Sequence, residues 1–216
     1  EKDYSIVNDI DQLKRLIVDL RKARLIALNL ETSIQIPSKS DIIGISFSTS
    51  INSGWYIPIT YLNKEKNHFG DNDLNEVMTR LKHVFEDKSI LKTGHNIKFV
   101  IHVLKRHGIN LKGVIFDTMV VSHLLNPSAK SISLNNLSLE YLNYEIIKID
   151  DLLGRGKNKL LLSEISLKQA SFFGTEQTDI ILQLTSILKK RLKENSLYDF
   201  FKTIELDLIS VLAQME

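Results

Sequence analysis

The stretch LIALNLETS, residues 25–33, predicts a buried strand that ends beside a carboxylate. Its apolar run is short enough for a central strand of a sheet, and Glu31 stands at the end of that run. Asn29 precedes Glu31 by two residues, so both side chains point to the same face of the strand. Two acids at this spacing could share a metal ion, whereas an amide offers only a neutral oxygen. The strand therefore resembles a metal-binding strand that has kept only half of the negative charge that metal binding needs.

Length and composition are those of a soluble globular protein. The chain has 216 residues, of which 43% are hydrophobic and 25% charged, and its formal net charge is +2. This charge is too balanced to identify a nucleic-acid-binding protein by itself. The absence of cysteine excludes disulfides and thiolate metal sites. Since no membrane-length apolar run and no signal-peptide pattern occur, we expect a cytoplasmic protein without a membrane partner.

The first third of the sequence predicts a helix followed by three strands. Apolar residues recur at helical spacing over 9–24, directly before the quoted strand. The segments DIIGISFSTS (41–50) and WYIPI (55–59) then continue as a meander. Pro58 favours an edge position for the third strand, because proline cannot donate to a sheet ladder.

The rest of the sequence predicts helices with two short strands between them. The segment 71–87 is an amphipathic helix capped by Asp71 or Asn72. SILKTGHN (89–96) and GVIFDT (113–118) are predicted strands on either side of a helix. We therefore expect one α/β domain, with a mixed five-stranded sheet flanked by helices and a helical C-terminal half.

The longest predicted helix runs from about Leu167 to Leu192 and contains a glycine. Glycine inside a helix costs roughly 1 kcal/mol relative to alanine. Gly174 therefore predicts either close packing or a bend at that point of the helix.

Six segments occur in an order that is typical of one family. They are LIALNLETS, LKTGHNIKFVIHVLKRHGI, VIFDTMVVSHLLNP, LNNLSLEYL, GRGKNKLLLSEISL and ASFFGTEQTDIILQL. Together they closely resemble the proofreading 3′→5′ exonuclease domain of bacterial DNA polymerase I, and the resemblance covers nearly the whole chain. It implies a ribonuclease-H-like fold and, in an active relative, phosphodiester hydrolysis by two Mg²⁺ or Mn²⁺ ions.

The resemblance also implies which positions would carry the chemistry. The family has four acids, in an Asp-x-Glu, an Asn-x-x-Tyr-Asp and a Tyr-x-x-x-Asp motif. Carried over by position, the acids fall on Asn29, Glu31, Val100 and Gln177, and the tyrosine of the last motif falls on Phe173. One acid of the four remains, and the tyrosine has lost its hydroxyl group.

These substitutions predict a domain without catalytic residues, metal or other cofactor. Hard cations need charged oxygen ligands, and Glu31 alone cannot hold two of them. Glu176 and Asp179 flank Gln177, but a rotation of about 100° per helical residue directs them away from its face. The alternative is a weak or engineered-inactive exonuclease. Val100 and Phe173 are not the usual isosteric choices of an engineer, so the sequence favours natural loss.

For partners, the resemblance implies the polymerase domain of the same parent chain, a DNA-directed DNA polymerase of replication and repair. A connection into that domain would start at about 195–216. There FKTIELDLISVLAQME (201–216) carries a helical stripe of Ile204, Leu208, Val211 and Met215 without a stop signal. We expect a monomer. A free-standing interaction module is a further alternative, and the unfinished helix argues against it.

Weak binding of single-stranded DNA is the remaining expectation. His95 and Asn96 would lie at the mouth of the former site, and Arg155 and Lys157 belong to the Gly-rich basic loop 154–159. These four residues are the candidate DNA contacts. The alternative for the loop is an ordinary solvated connection, and for Asp117 we expect a helix N-cap rather than catalysis.

Overall fold

The computed structural model describes residues 2–59, 73–156 and 159–215. Within these ranges a mixed sheet of six strands runs in the order β1-β4-β3-β2-β5-β6. The strands are β1 Asp3–Ile6, β2 Ile26–Thr32, β3 Ile42–Ser48, β4 Ser53–Pro58, β5 Lys92–Gly94 and β6 Val114–Asp117. The predicted mixed α/β architecture is confirmed, and β2 is the central strand that the quoted stretch predicts.

The predictions of five strands and of an edge position for the third are wrong. The additional strand β1 pairs in parallel with β4, from Asp3 opposite Ser53 to Ile6 opposite Tyr56. Its side chains alternate between exposed and half-buried, so no apolar run marks it in the sequence. Pro58 is tolerated because it is the last residue of β4 and lies beyond the pairing with β1.

Helices cover both faces of the sheet and make up the second half of the described chain. The described α-helices are α1 Ile10–Lys22, α2 Asp73–Glu86, α3 Ile97–Arg106, α4 Thr118–Leu125, α5 Leu134–Leu142, α6 Ile149–Leu153, α7 Leu167–Glu194, α8 Tyr198–Phe200 and α9 Leu206–Met215. From Thr118 onward the described residues contain helices but no strand, as the sequence predicts. The proposed caps Asp71 and Asn72 lie outside the described residues.

The long helix α7 packs residues of the C-terminal half of the chain against the sheet. It begins with a capping box, in which Ser166 and Gln169 satisfy each other's backbone N–H groups. It then crosses the sheet and contacts strands β1 to β5. Residues from the middle of α7 therefore lie above the end of β2.

Gly174 allows α7 to approach the sheet closely, which confirms the close packing predicted there. A Cβ atom at this position would lie 2.7 Å from Cε2 of Tyr56 and 2.8 Å from Oε1 of Glu31. Tyr56 is fully buried. No side chain larger than hydrogen fits between the helix and the strand ends, so glycine fixes the distance between α7 and Glu31.

The C-terminal helical run leaves an apolar face exposed. It consists of α8, a five-residue π-helix Phe201–Glu205 and α9. Phe201, Ile209 and Ala213 are buried, whereas the predicted stripe is exposed. The stripe consists of Ile204, Leu208, Val211 and Met215.

None of the helices in the described ranges combines the length and the apolar character that crossing a membrane requires.

Candidate functional site

The structure brings three of the predicted site residues into one hydrogen-bonded group. Nδ2 of Asn29 on β2 donates to Oε1 of Glu31 and to Oε1 of Gln177 on α7, each at 3.1 Å. Oγ of Ser46 on β3 donates to the same Oε1 of Glu31 at 3.2 Å. We call Asn29, Glu31, Ser46 and Gln177 the amide pocket.

Ser46 is the member of the amide pocket that the sequence analysis missed. In the antiparallel pairing of β2 and β3, Ser46 lies directly opposite Asn29. Directly opposed residues project to the same face of a sheet and contact each other. The register of these two strands would have identified Ser46, but the sequence alone does not fix that register.

Glu31 is a buried carboxylate with few partners. Its side chain is 4% exposed, and its Oε2 atom has no hydrogen-bond partner among the described residues. Burial raises the pKa of Glu31 to about 7, although the hydrogen bonds from Asn29 and Ser46 act in the opposite direction. Glu31 therefore takes up a proton near neutral pH.

Val100 and Phe173 contribute apolar surface. Phe173 lies on α7 one turn before Gln177 and is 6% exposed. Val100 lies on α3, is 2% exposed and belongs to the hydrophobic cluster that also contains Leu28 of β2. Neither side chain can donate or accept a hydrogen bond, so neither can position a water molecule or bind an ion.

The carboxylate of Glu176, next to Gln177, bonds outside the amide pocket. Its Oε1 accepts from Nζ of Lys2 at 2.8 Å and from the hydroxyl of Tyr144 at 2.5 Å. Its Oε2 accepts from the backbone N–H of Ile147 at 2.8 Å. Three donors therefore hold Glu176 in its buried position.

Asp179 is likewise bound to groups outside the amide pocket. Oδ2 accepts from the hydroxyl of Tyr4 at 2.6 Å. Oδ1 accepts from the backbone N–H of Asn52 and from Nε2 of Gln183, both at 2.9 Å. Neither acid beside Gln177 is thus hydrogen-bonded to the amide pocket, in agreement with their predicted directions on the helix.

His95 and Asn96 form the turn between β5 and α3, where a Cβ atom at Gly94 would lie 3.4 Å from the carbonyl of Leu28 on β2. Nδ1 of His95 lies 2.9 Å from Oγ1 of Thr118. That hydroxyl donates to the carbonyl of Gly94 at 3.2 Å, so Nδ1 must be the donor to it. Burial lowers the pKa of His95 to about 4, and the imidazole is neutral at physiological pH.

Asp117 is the predicted N-cap of α4, and it also fixes the turn before α3. Its carboxylate accepts from the N–H groups of Met119 and Val120 at 2.8 and 3.3 Å. It accepts in addition from Asn96 at 3.2 Å and from Ile97 at 2.7 Å. Asn96 has a positive φ of 60°, and this bond stabilises it there.

The basic loop contains the other two candidate DNA contacts. Arg155 is exposed and follows Gly154, the C-cap of α6. Lys159 forms an ion pair with Asp150 at 3.0 Å. Lys157 lies outside the described residues. The described residues of the loop are exposed, and they do not belong to the amide pocket.

The residues at this site do not fit a pair of divalent ions. The four acid positions of the resemblance hold one carboxylate, and Asn29 directs N–H rather than oxygen toward it. Paired divalent ions need several anionic oxygens. In the part of the chain that the structure describes, no group of three or more Asp, Glu, His or Cys side chains is arranged to hold a metal.

Comparison with known families gives a match over most of the chain. A family model described as 3′-5′ exonuclease matches residues 4–193. The chain belongs to the 3′-5′ exonuclease family. The resemblance that the sequence motifs indicate is therefore confirmed.

The relatives of this exonuclease-family chain include bacterial DNA polymerases I. It is 31% identical over 222 residues to DNA polymerase I of Pseudomonas aeruginosa, covering 100% of the chain and 24% of that protein. It is 33% identical over 216 residues to DNA polymerase I of Borreliella burgdorferi, covering 99% of the chain and 22% of that protein. The chain thus spans about a quarter of the length of these relatives.

Solved structures of low sequence identity share the fold. The POL domain of Pol1 from M. smegmatis, in complex with DNA primer-template and dNTP, has a TM-score of 0.74 at 18% identity. This match covers 98% of the chain and 31% of that structure. NrnC of Brucella melitensis with bound Mg²⁺ has a TM-score of 0.71 at 17% identity, covering 100% of the chain and 93% of that structure. The predicted ribonuclease-H-like fold class is confirmed.

Proposed function

We propose that this exonuclease-family chain does not hydrolyse DNA and serves as a structural domain of a DNA polymerase I. The observation that carries the proposal is the amide of Asn29, which donates to both Glu31 and Gln177 at 3.1 Å. In the family resemblance these three positions are carboxylates that hold metal ions. Here an N–H group stands between them, and hydrogen bonds take the place of the ions.

The physics of the replacement supports a stable inactive domain. Two carboxylates about 4 Å apart repel each other by roughly 4 kcal/mol at an effective dielectric constant of 20. Such a site needs bound cations to offset the repulsion. Asn29 and Gln177 remove two of the charges and form a hydrogen bond instead. The fold therefore loses the metal ligands and gains an attractive contact in the same substitutions.

The proposed partner is the polymerase domain of the same parent chain, in the bacterial cytoplasm. The connection would begin near residue 195, and the exposed stripe of the C-terminal helical run would contact that domain. Ile204 is 49% exposed and Met215 is 77% exposed. Exposed apolar stripes of this kind are typical of interfaces. The parent protein, and not a second copy of this chain, would supply the covering surface.

Weak binding of single-stranded DNA is a further part of the proposal. Arg155 is exposed and can contact a phosphate. His95 is neutral, because burial lowers its pKa to about 4, so it would contribute a hydrogen bond and no charge. Binding would depend on salt, since phosphate contacts release counterions.

The test compares the natural chain with a variant in which the family residues are restored. The variant carries Asn29→Asp, Val100→Asp, Phe173→Tyr and Gln177→Asp together. A labelled single strand with Mg²⁺ or Mn²⁺ should stay intact with the natural chain and be shortened stepwise by the variant. Calorimetry with Mn²⁺ should show two-ion binding in the variant alone.

Each outcome has a defined meaning for the proposal. Stepwise shortening by the natural chain, or tight binding of two ions, would favour the alternative of a weak or engineered-inactive proofreading exonuclease. Failure of the restored variant to bind Mn²⁺, with its circular dichroism spectrum unchanged, would show that the pocket no longer has the geometry of a metal site. That result would still support the loss of activity.

A further inference from the structure

The ammonium group of Lys2 is surrounded by one carboxylate and three aromatic side chains. Its Nζ lies 2.8 Å from Oε1 of Glu176 and 2.5 Å from the hydroxyl of Tyr144. The ring centroids of Tyr4 and Phe172 lie 5.4 and 5.1 Å from the same Nζ. We call these five residues the Lys2 cluster.

The two kinds of contact in the Lys2 cluster have different physical origins. A cation within about 6 Å of an aromatic centroid is attracted by the negative face of the ring. Tyr4 and Phe172 supply this attraction, with their rings 5.3 Å apart and tilted by 59°. Tyr144 contributes its ring, whose centroid lies 4.5 Å from Nζ, and its hydroxyl, which also donates to Glu176 at 2.5 Å. The Lys2 cluster therefore holds the ammonium group through aromatic ring faces, a phenol hydroxyl and a carboxylate.

The carboxylate makes the cluster dependent on a cation. The side chain of Glu176 is 1% exposed, and Lys2 is its only ion-pair partner among the described residues. Without Lys2, the carboxylate would keep the Tyr144 hydroxyl and the Ile147 N–H, but no positive charge. Buried charges without a counter-ion are strongly unfavourable, so the carboxylate would stabilise a cation that enters the empty site.

The walls of the cluster are fixed independently of Lys2. The backbone of Tyr144 is tied to Ser138, whose hydroxyl donates to the Tyr144 carbonyl at 2.7 Å. Tyr4 is tied to α7 through its hydrogen bond to Asp179 at 2.6 Å. Phe172 and Glu176 lie one turn apart on α7. Removal of the lysine side chain would therefore leave the aromatic and carboxylate groups in place.

We propose that the Lys2 cluster is a binding site for a primary alkylammonium group, which Lys2 fills from within the chain. The lysine and Tyr4 contact Glu176 and Asp179, the acids on either side of Gln177. Occupation of the site thus joins the first strand to α7 at the segment that carries the amide pocket. An external ammonium ligand enters only when the lysine is absent or withdrawn.

The experiment is chemical rescue of Lys2→Ala in the full chain. The alanine retains Cβ, so propylammonium supplies the missing atoms. Thermal unfolding is followed in increasing propylammonium chloride and in KCl at the same ionic strength. We expect the melting temperature of Lys2→Ala to rise saturably with propylammonium beyond the effect of KCl. The natural chain should respond equally to the two salts.

Two further variants give the controls. Lys14→Ala removes an exposed lysine whose partner Asp11 is also exposed, and it should show no specific rescue. Lys2→Ala combined with Glu176→Gln should bind propylammonium about tenfold or more weakly, because the hydrogen bond to a charged acceptor is lost. Equal effects of propylammonium and KCl on Lys2→Ala, or equal rescue of Lys14→Ala, would overturn the proposal.

A second measurement applies if Lys2→Ala does not fold. In the natural chain, acetylation by an excess of reagent is followed at each lysine by mass spectrometry. A lysine held by a buried carboxylate should react at least about tenfold more slowly than Lys14, since the bound ammonium form is protected. Equal reaction rates at Lys2 and Lys14 would contradict the site.

Discussion

Glu31 and Glu176 are both buried carboxylates near the same segment of α7, yet their surroundings differ. Glu31 is 4% exposed, receives hydrogen bonds from Asn29 and Ser46, and leaves Oε2 without a partner in the described residues. Glu176 is 1% exposed and has an ion pair, a phenol and a backbone N–H. The first lacks a counter-charge, and the second has one.

This difference shows that two similarly buried acids are distinguished by the charges of their partners. The partners of Glu176 are Lys2, directly before β1, and Tyr144 and Ile147 in the segment after α5, so the fold places a cation beside it. The partners of Glu31 are neutral side chains, Asn29 on the same strand and Ser46 on the adjacent strand β3. In a four-acid relative, metal ions would supply the missing charge. Of the two acids, Glu31 is therefore the one whose negative charge has no compensating positive charge among the described residues.

The largest effect should come from Glu31→Gln. The pKa of Glu31 is about 7 in the folded chain and 4.5 ordinarily, so the folded state binds this proton more strongly than the unfolded chain. The contribution of Glu31 to stability is therefore fully present below about pH 4.5 and falls until about pH 7. Over this interval of about 2.5 pH units the loss corresponds to about 3 kcal/mol.

Glu31→Gln should remove this pH dependence. The measurement is the free energy of unfolding in urea from pH 4.5 to pH 8. We expect the variant to be more stable than the natural chain by up to about 3 kcal/mol at pH 8, and by much less at pH 4.5. Glu140→Gln, at an exposed position, is the control. Parallel curves for Glu31→Gln and the natural chain would contradict the role of Glu31.

Glu176→Gln should lower the free energy of unfolding, whereas Glu31→Gln should raise it. Glu176→Gln removes the counter-charge of Lys2, and an amide cannot accept from all three donors around it. We expect a loss of about 2–3 kcal/mol in the free energy of unfolding at pH 7. Glu145→Gln, in an exposed ion pair with Lys148, is the matched control. A loss at position 176 no larger than in the control would remove the contrast between the two acids.

Gly174→Ala tests how closely α7 approaches Glu31 and Tyr56. Alanine favours the helix, but its Cβ would lie 2.7 Å from Tyr56 and 2.8 Å from Glu31. Overpacking should therefore prevail and cost about 1–3 kcal/mol in urea unfolding. Ser186→Ala, on an exposed face of α7, should be neutral or slightly stabilising. A stabilising Gly174→Ala would mean that the helix lies farther from the sheet.

The smallest effect concerns an exposed carboxylate. Asp150 pairs with Lys159 at 3.0 Å, and both side chains are nearly half exposed. Because water screens such pairs, Lys159→Ala should change the free energy of unfolding by less than about 1 kcal/mol. Urea unfolding at low and high salt measures it. An effect as large as that of Glu176→Gln would show that burial does not govern the difference between these acids.

Much of the fold follows from local patterns. The apolar run of β2, the helical periodicity of α1 and the length of α7 are visible in the sequence and present in the structure. Strand β1 is not visible, because its four residues alternate between exposed and half-buried. The edge assignment of β4 failed for the same reason, since β1 is the strand that covers it.

The sequence by itself determined which chemical groups occupy the site. It gave an amide at 29, one acid at 31, apolar groups at 100 and 173, and an amide at 177. Only the tertiary structure decided where these groups point. Asn29 and Gln177 are 148 residues apart in the chain, and their hydrogen bond exists because Gly174 lets α7 lie against β2. Hydrogen bonds between distant residues depend on packing distances that local propensity does not encode.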